Sequence, residues 1–382
     1  MHQTNFQPLE NKRVGLVTNH TAKVGDTHLI DILHANPKIK LTALFGPEHG
    51  LRGLADAGAK INDENDPKTG VPIFSLYGQT QKPQQEHIKN LDILVYDIQD
   101  IGARFYTYIS TLGLCMQAAA EAKIPILVLD RPNPLGGTQV AGYVLEPAHA
   151  SFVGQYPIPI QYGLTIGELA TMIKGEAWLP GLESLDLQVA KLENWNRNQT
   201  AAGQLWIKPS PNIPDFETAL VYPGTCLFEA IHASEGRGTT EPFLTLGAPY
   251  INAERLTQTL NSKNLPGIKF ISVSFTPRSI PGMSANPRFK DKLLHGIEIK
   301  ATDPTKVQPV ELGIHLVHAF YHQSKGLDRL RFFNSNWITK LAGTKRLQND
   351  LEFGKSPEEI IASWGFELQE FKSRRENYLL YP

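Results

Sequence analysis

The stretch Leu41-Thr42-Ala43-Leu44-Phe45, running straight into Gly46-Pro47-Glu48-His49-Gly50, decides how this chain is read. Its mostly apolar run suits a buried strand and is short for a helix, and glycine and proline then stop it. The same phrasing recurs along the first half. Val14-Gly15-Leu16-Val17 leads into Thr18-Asn19-His20, and Ile93-Leu94-Val95-Tyr96 leads into Asp97-Ile98-Gln99-Asp100. Ile126-Leu127-Val128-Leu129 leads into Asp130-Arg131-Pro132-Asn133-Pro134, and residues 71–76 supply one more run. Residues 29–33 read as a short helix between them, and 106–122 as a strong one. Short Val-, Ile- and Leu-rich runs separated by helices predict a parallel sheet covered on both faces, an α/β, Rossmann-like layout.

Working outward, proline clusters break the pattern at Trp178-Leu179-Pro180-Gly181 and at Pro209-Ser210-Pro211-Asn212-Ile213-Pro214. Such clusters continue neither a helix nor a central strand. They place a boundary near residue 208, with the Rossmann-like domain over 1–208 and a smaller α+β domain over 209–382. In the second part, 268–275 and 296–300 read as strands and 253–260 and 310–322 as helices. From Trp337 onward the chain reads as wholly helical.

A length of 382 residues favours two domains over one core, and 41% hydrophobic with 20% charged residues is ordinary globular material. Lys+Arg (37) balance Asp+Glu (38), so the basic excess that nucleic acid or an anionic membrane would require is missing. Two cysteines, Cys115 and Cys226, make neither a disulfide framework nor a cysteine zinc site. Two buried thiols are expected, a single bridge being the alternative. Nothing approaches the length of a membrane span. The opening Met1-His2-Gln3-Thr4-Asn5-Phe6 carries no export signal, which leaves open a cytoplasmic protein or one whose export segment has been removed.

In an open parallel sheet, ligands bind beyond the carboxyl ends of the strands. Those ends deliver Asn19, His20, Glu48, His49, Asp97, Gln99, Asp130, Arg131 and Asn133 to one edge. Glu48, between Pro47 and His49 on a rigid turn after a buried strand, has the setting in which partial burial raises a carboxyl pKa into the range of a general acid. A plain loop glutamate would look the same. His49 could orient that carboxyl. Asp97 and Asp100, followed by Arg104 and Tyr106, serve one site only if the strand ends by Gln99; a loop-locking Asp–Arg pair is the structural alternative.

Glu235-Gly236-Arg237-Gly238-Thr239-Thr240-Glu241 is the most distinctive later segment. Its glycines let backbone approach a ligand, Arg237 offers a forked cation, and Glu235 offers the second carboxyl that glycoside hydrolysis commonly uses. A flexible surface loop is the alternative. The first strand lacks the Gly-x-Gly-x-x-Gly turn of dinucleotide sites and no P-loop occurs, so no cofactor is expected. His315, His318 and His322 share a helix face opposite Leu316, Val317 and Phe320, a solvated side on which no metal is expected. Trp337, Phe353, Trp364, Phe366 and Tyr378 read as core packing.

The segments 15–21, 45–53 and 97–108, together with Asp130-Arg131-Pro132-Asn133-Pro134, Glu235-Gly236-Arg237-Gly238-Thr239 and Tyr378-Leu379-Leu380-Tyr381-Pro382, occur in an order that resembles the bacterial exo-β-N-acetylmuramidases. The resemblance covers nearly the whole length. It implies release of N-acetylmuramic acid from the non-reducing ends of peptidoglycan fragments, in a cleft between a Rossmann-like domain and a smaller one. Members of that family often carry an export signal, which implies a periplasmic or secreted setting. Glu48, in the Gly-Pro-Glu-His-Gly motif, matches the family's candidate general acid/base; Glu235, Asp97 or the substrate's own acetamido group would then assist. The substrate's lactyl carboxylate calls for a forked cation, for which Arg52, Arg104, Arg131 and Arg237 are candidates. Two other readings compete: a metal-dependent deacetylase or phosphohydrolase using Glu48, His49, Asp97 and Asp130, and a two-lobed sugar-binding protein without catalysis.

Overall fold

Every apolar run singled out in the first half becomes a strand in the computed structural model, which describes residues 6–47, 51, 64–78 and 80–382. In chain order the described strands are β1 (Arg13–Thr18), β2 (Lys23–Val24), β3 (Thr27–His28), β4 (Lys40–Gly46), β5 (Glu64–Asn65), β6 (Pro72–Ser75), β7 (Ile93–Asp97), β8 (Ile126–Leu129), β9 (Leu187–Ala190), β10 (Thr245–Ala248), β11 (Ile268–Phe275) and β12 (Leu294–Ala301). Seven of them form one sheet in the order β5-β6-β4-β1-β7-β8-β9, parallel except for the edge strand β5. After β1 the chain builds outward through β4 and β6, then returns to place β7 on the other side of β1. That reversal is the topological switch point, and the crevice beyond the carboxyl ends of β1 and β7 follows from it.

Alternation along the strands explains why the runs are continuously apolar. Val14, Leu16, Ile93 and Val95 point to one face, where Ile30 and Leu33 of the helix Leu29–Ala35 cover them. Val17, Leu94 and Tyr96 point to the other, against Ile109, Leu112 and Met116 of the helix Tyr108–Ala122. Burial on both faces leaves no position for a solvent-facing residue within the central strands.

The sequence reading missed β9, which lies just beyond the first proline cluster, and β10, hidden beside the glycine-rich segment. Strands β10-β12-β11 make a separate antiparallel sheet in the second half. Two helices of that half, Phe216–Thr225 and Pro309–Gln323, meet at paired glycines. A Cβ on Gly224 would stand 1.9 Å from the Pro309 carbonyl oxygen, and one on Gly313 2.4 Å from the Gly224 Cα. Four further helices follow from Ser335 to Arg375, and the chain end then returns to the first half. There Tyr381 donates to Asp130 at 2.5 Å, Leu380 N–H donates to Glu168, and the Pro382 carbonyl accepts from Arg197 N–H.

The helical tail is only partly core. Trp364 is fully buried, but Phe353 and Phe366 are exposed, a correction to the packing expected of them, and Trp337 faces a cleft. His315 is also corrected: it is buried on its helix, while His322 is exposed. Both cysteines are buried free thiols. No described helix is long and apolar enough to cross a membrane.

Candidate active site

Two cavities open at the carboxyl edge of the large sheet. The first, about 350 Å³, occupies the switch-point crevice and is lined by Thr21, Gln99, Arg131, Trp195 and Trp206 among others. The second, about 370 Å³, lies between the halves of the chain. Tyr77, Phe105, Tyr106, Thr107 and Tyr108 line it from the first half; Ser210, Asn212, Tyr222, Glu229, Arg237, Phe243 and Trp337 line it from the second.

The proline segment that opens the second half forms part of the second cavity because it is pinned in place. The His20 Nε2 lies 2.5 Å from the Lys208 carbonyl oxygen, and the Tyr108 hydroxyl donates to the Pro209 carbonyl at 2.9 Å. Asn212 in turn donates to the Met283 carbonyl. Aromatic rings stack edge to face behind it: Tyr222 meets Phe243, Phe105 and Tyr106, with ring centres 4.8, 5.5 and 6.0 Å apart. Such faces suit the apolar side of a sugar ring while their polar edges remain available.

Charge enters this cavity through Arg237. Its guanidinium donates to Glu229 at 2.7 Å and to Glu235 at 3.4 Å, and lies 5.0 Å from the centre of the Phe243 ring. Burial presses Arg237 toward neutrality, but the charges of Glu229 and Glu235 outweigh it and hold its pKa above the ordinary arginine value. The Nε of Arg237 and the Oε2 of Glu235 are buried without a hydrogen-bond partner among the described residues. Unmet donors and acceptors of this kind are costly unless a ligand or water completes them.

The loop carrying them is set by backbone. Gly236 and Gly238 both adopt positive φ, 83° and 82°. A Cβ on Gly236 would come within 2.4 Å of the Thr245 carbonyl oxygen, and one on Gly238 within 2.5 Å of the Arg278 carbonyl oxygen. The glycines thus admit the chain's own backbone at close range, where the sequence reading had them admit a ligand. Thr239 donates its hydroxyl to the Gly236 carbonyl and accepts from Glu241 N–H, tying the turn rather than facing outward.

Other sequence candidates prove to be architecture. Arg104 is fully buried and donates to the carbonyls of Tyr143, Ile158 and Leu341. Its two terminal nitrogens are spent on backbone carbonyls, so it does not form the Asp–Arg pair the sequence suggested. Asp130, expected to recognise hydroxyls, accepts from Thr165, Gly167 N–H, Arg131 N–H and Tyr381, and burial raises its pKa. Asn133 donates to the Leu164 carbonyl and accepts from Leu135 N–H. Asp130 thereby ties its loop to the chain end and to the start of the helix Ile166–Gly175. Asn133 binds loop segments to one another, and Arg104 binds them to the helix Ser335–Ala342.

At the switch point, β7 ends at Asp97, which holds Arg131 through two contacts of 2.5 and 3.0 Å. Asp100 turns away from it, accepting from Gly102 N–H and the Tyr162 hydroxyl, so the two aspartates serve different partners. Gln99 donates to the carbonyls of Asp100 and Pro132. Asn19 accepts from Thr21, while its Nδ2 has no partner among the described residues. Glu48, His49 and Arg52 lie outside the described residues; Gly46 closes β4 and the buried Pro47 follows it. Among the described residues no group of three or more His, Cys, Asp or Glu is placed to hold a metal.

Sequence reasoning missed Glu229, Tyr222 and Phe243. Only Glu229 had a legible trace, as a third acid just upstream of Glu235 and Arg237. The aromatics sit in apolar stretches that look like any core.

Comparison with known proteins covers the chain in two pieces. The N-terminal family model described as exo-β-N-acetylmuramidase NamZ matches residues 14–217, and the C-terminal one matches 220–381. The peptidoglycan β-N-acetylmuramidase NamZ of Bacillus subtilis is 45% identical over 381 residues, spanning 98% of this chain and 88% of that protein. Two crystal structures of DUF1343 family proteins from Bacteroides fragilis align over 100% of this chain and 97% of theirs. Their TM-scores are 0.88 and 0.83, at 36% and 39% identity.

Proposed function

Because the chain belongs to the exo-β-N-acetylmuramidase family, we propose that it is a glycosidase that releases N-acetylmuramic acid from the non-reducing ends of peptidoglycan fragments. The observation that carries the geometric side of this reading is Arg237. It is a forked cation on an aromatic-walled cleft, with a donor left unmet. N-acetylmuramic acid differs from its glucosamine counterpart by a lactyl carboxylate, and a guanidinium is the side chain whose fork matches a carboxylate. Of the four arginine candidates, Arg104 is fully buried on backbone carbonyls, Arg131 is held by Asp97 outside this cleft, and Arg52 lies outside the described residues. Arg237, paired with Glu229, is the one of the described three that lines the cleft, which favours it.

In this reading Glu48, two residues after the end of β4 in the sequence, is the general acid/base, and His49, the next residue in the chain, assists it. Glu235 is the preferred second carboxyl, since Asp97 is engaged by Arg131; the substrate's acetamido group is the other source of assistance. The division near residue 208 then separates a Rossmann-like lobe bearing Glu48 from a smaller lobe that completes the cleft. A cell-wall glycan as substrate fits a periplasmic or secreted setting.

The test is hydrolysis of a chromogenic β-N-acetylmuramide by the full chain and by Glu48→Gln. Loss of at least about a hundredfold in rate is expected, the usual scale for a general acid. Unchanged turnover in the variant would remove Glu48 from that role, and absence of turnover in the parent would favour a sugar-binding protein. A chelator should leave the rate untouched, whereas a metal-dependent deacetylase or phosphohydrolase would lose it.

A further inference from the structure

We propose that His318 and His322 form a chelating pair for a divalent transition-metal ion, of the nickel(II) or copper(II) class, at a cavity separate from the cleft. The two residues lie four apart on the helix Pro309–Gln323, the spacing that stacks side chains on one face. Their Nε2 atoms stand 3.0 Å apart, with ring centres 4.2 Å apart. An ion bound at an ordinary metal–imidazole distance of about 2.1 Å to both nitrogens would subtend an angle of roughly 90°. That is the cis angle of square-planar or octahedral sites rather than the wider tetrahedral angle, hence nickel(II) or copper(II) before zinc.

The cavity, about 560 Å³, shares no lining residue with the cleft. No acid lines it; Arg255, Lys263 and Lys325 do, and Lys263 is paired with Glu358. No third His, Cys, Asp or Glu among the described residues joins the pair. The remaining coordination positions therefore fall to water or to an anion drawn in by those cations.

Without metal, one Nε2–H can donate to the other Nε2, which is the competing explanation of the short distance. Calorimetric titration of the untagged full chain, stripped with a chelator, separates the two. Nickel chloride should bind at one ion per chain, copper more tightly, and His318→Gln or His322→Gln should each weaken uptake by about tenfold or more. Hydrolysis of the β-N-acetylmuramide should be unchanged in both variants, so failure here is distinct from failure of the glycosidase reading. Absence of saturable uptake, or uptake that both replacements leave intact, overturns the proposal. His322 is exposed, so its replacement decides the matter even if His318→Gln does not fold.

Discussion

Glu229 accepts a 2.7 Å hydrogen bond from Arg237, and both side chains line the cleft between the two halves of the chain. The pair fixes where the guanidinium stands, and Glu229 is a positioning residue on this geometry. Replacing it with Gln keeps the shape and removes the charge. A hydrogen bond to a charged partner contributes about 1.5–3 kcal/mol, so kcat/KM on muramic substrates should fall by roughly tenfold to a hundredfold. Arg237→Lys, which loses the fork, should raise KM for muramic but not for glucosamine substrates, in steady-state assays of both. Equal effects on the two would detach Arg237 from the lactyl carboxylate.

A second prediction concerns the anchor of the chain end. Glu168 is fully buried, receives Arg197 at 2.7 Å and Leu380 N–H at 2.9 Å, and completes the capping box with Thr165. Arg197→Ala leaves that carboxylate buried without its cation. Unfolding in urea should show a loss of about 3–5 kcal/mol, the range for breaking one side of a buried pair. A loss below about 1 kcal/mol, the scale of exposed pairs, would mean water reaches Glu168.

The third is a pH effect. Burial raises Asp100 to about 6 against an ordinary 3.8. Between those values the folded protein holds a proton that the unfolded chain has released, so this group favours folding in acid. Its contribution is lost as pH rises from about 4 to about 6, on the order of 3 kcal/mol in all. Asp100→Asn removes the titration. Its stability, followed by thermal melts across that window, should change less with pH than the parent's; parallel curves would show that Asp100 ionises normally.

The fourth tests the glycine contact in the second half. Gly224→Ala places a methyl 1.9 Å from the Pro309 carbonyl oxygen, and the two helices must separate to admit it. Overpacking of this kind costs about 1–3 kcal/mol or more, and denaturant unfolding should register it. An unchanged midpoint would show that the helices slide freely.

Much of the scaffold could be read from local pattern alone. β1, β4, β7 and β8 coincide with apolar runs noted in the sequence, because a strand buried on both faces leaves little room for polar positions within it, and the partly exposed β6 falls on the run at 71–76 as well. β9 escaped notice because its four residues are only half-buried at a sheet edge. In the site, Arg237 and Glu235 stood out by chemistry and lie together. Arg104, Asp130 and Asn133 stood out equally and are structural ties.

By itself the sequence determined that a parallel sheet would form and that acids, amides and arginines would crowd its carboxyl edge. Hydrophobic periodicity is written residue by residue, and it suffices for that. Only the tertiary structure decided which polar groups face the cleft, since the answer depends on partners far along the chain. Arg104 is silenced by the Leu341 carbonyl, 237 residues away, and Asp130 by Tyr381, 251 away. A polar side chain is available for chemistry only when folding brings it no such partner, and no short stretch of sequence records that.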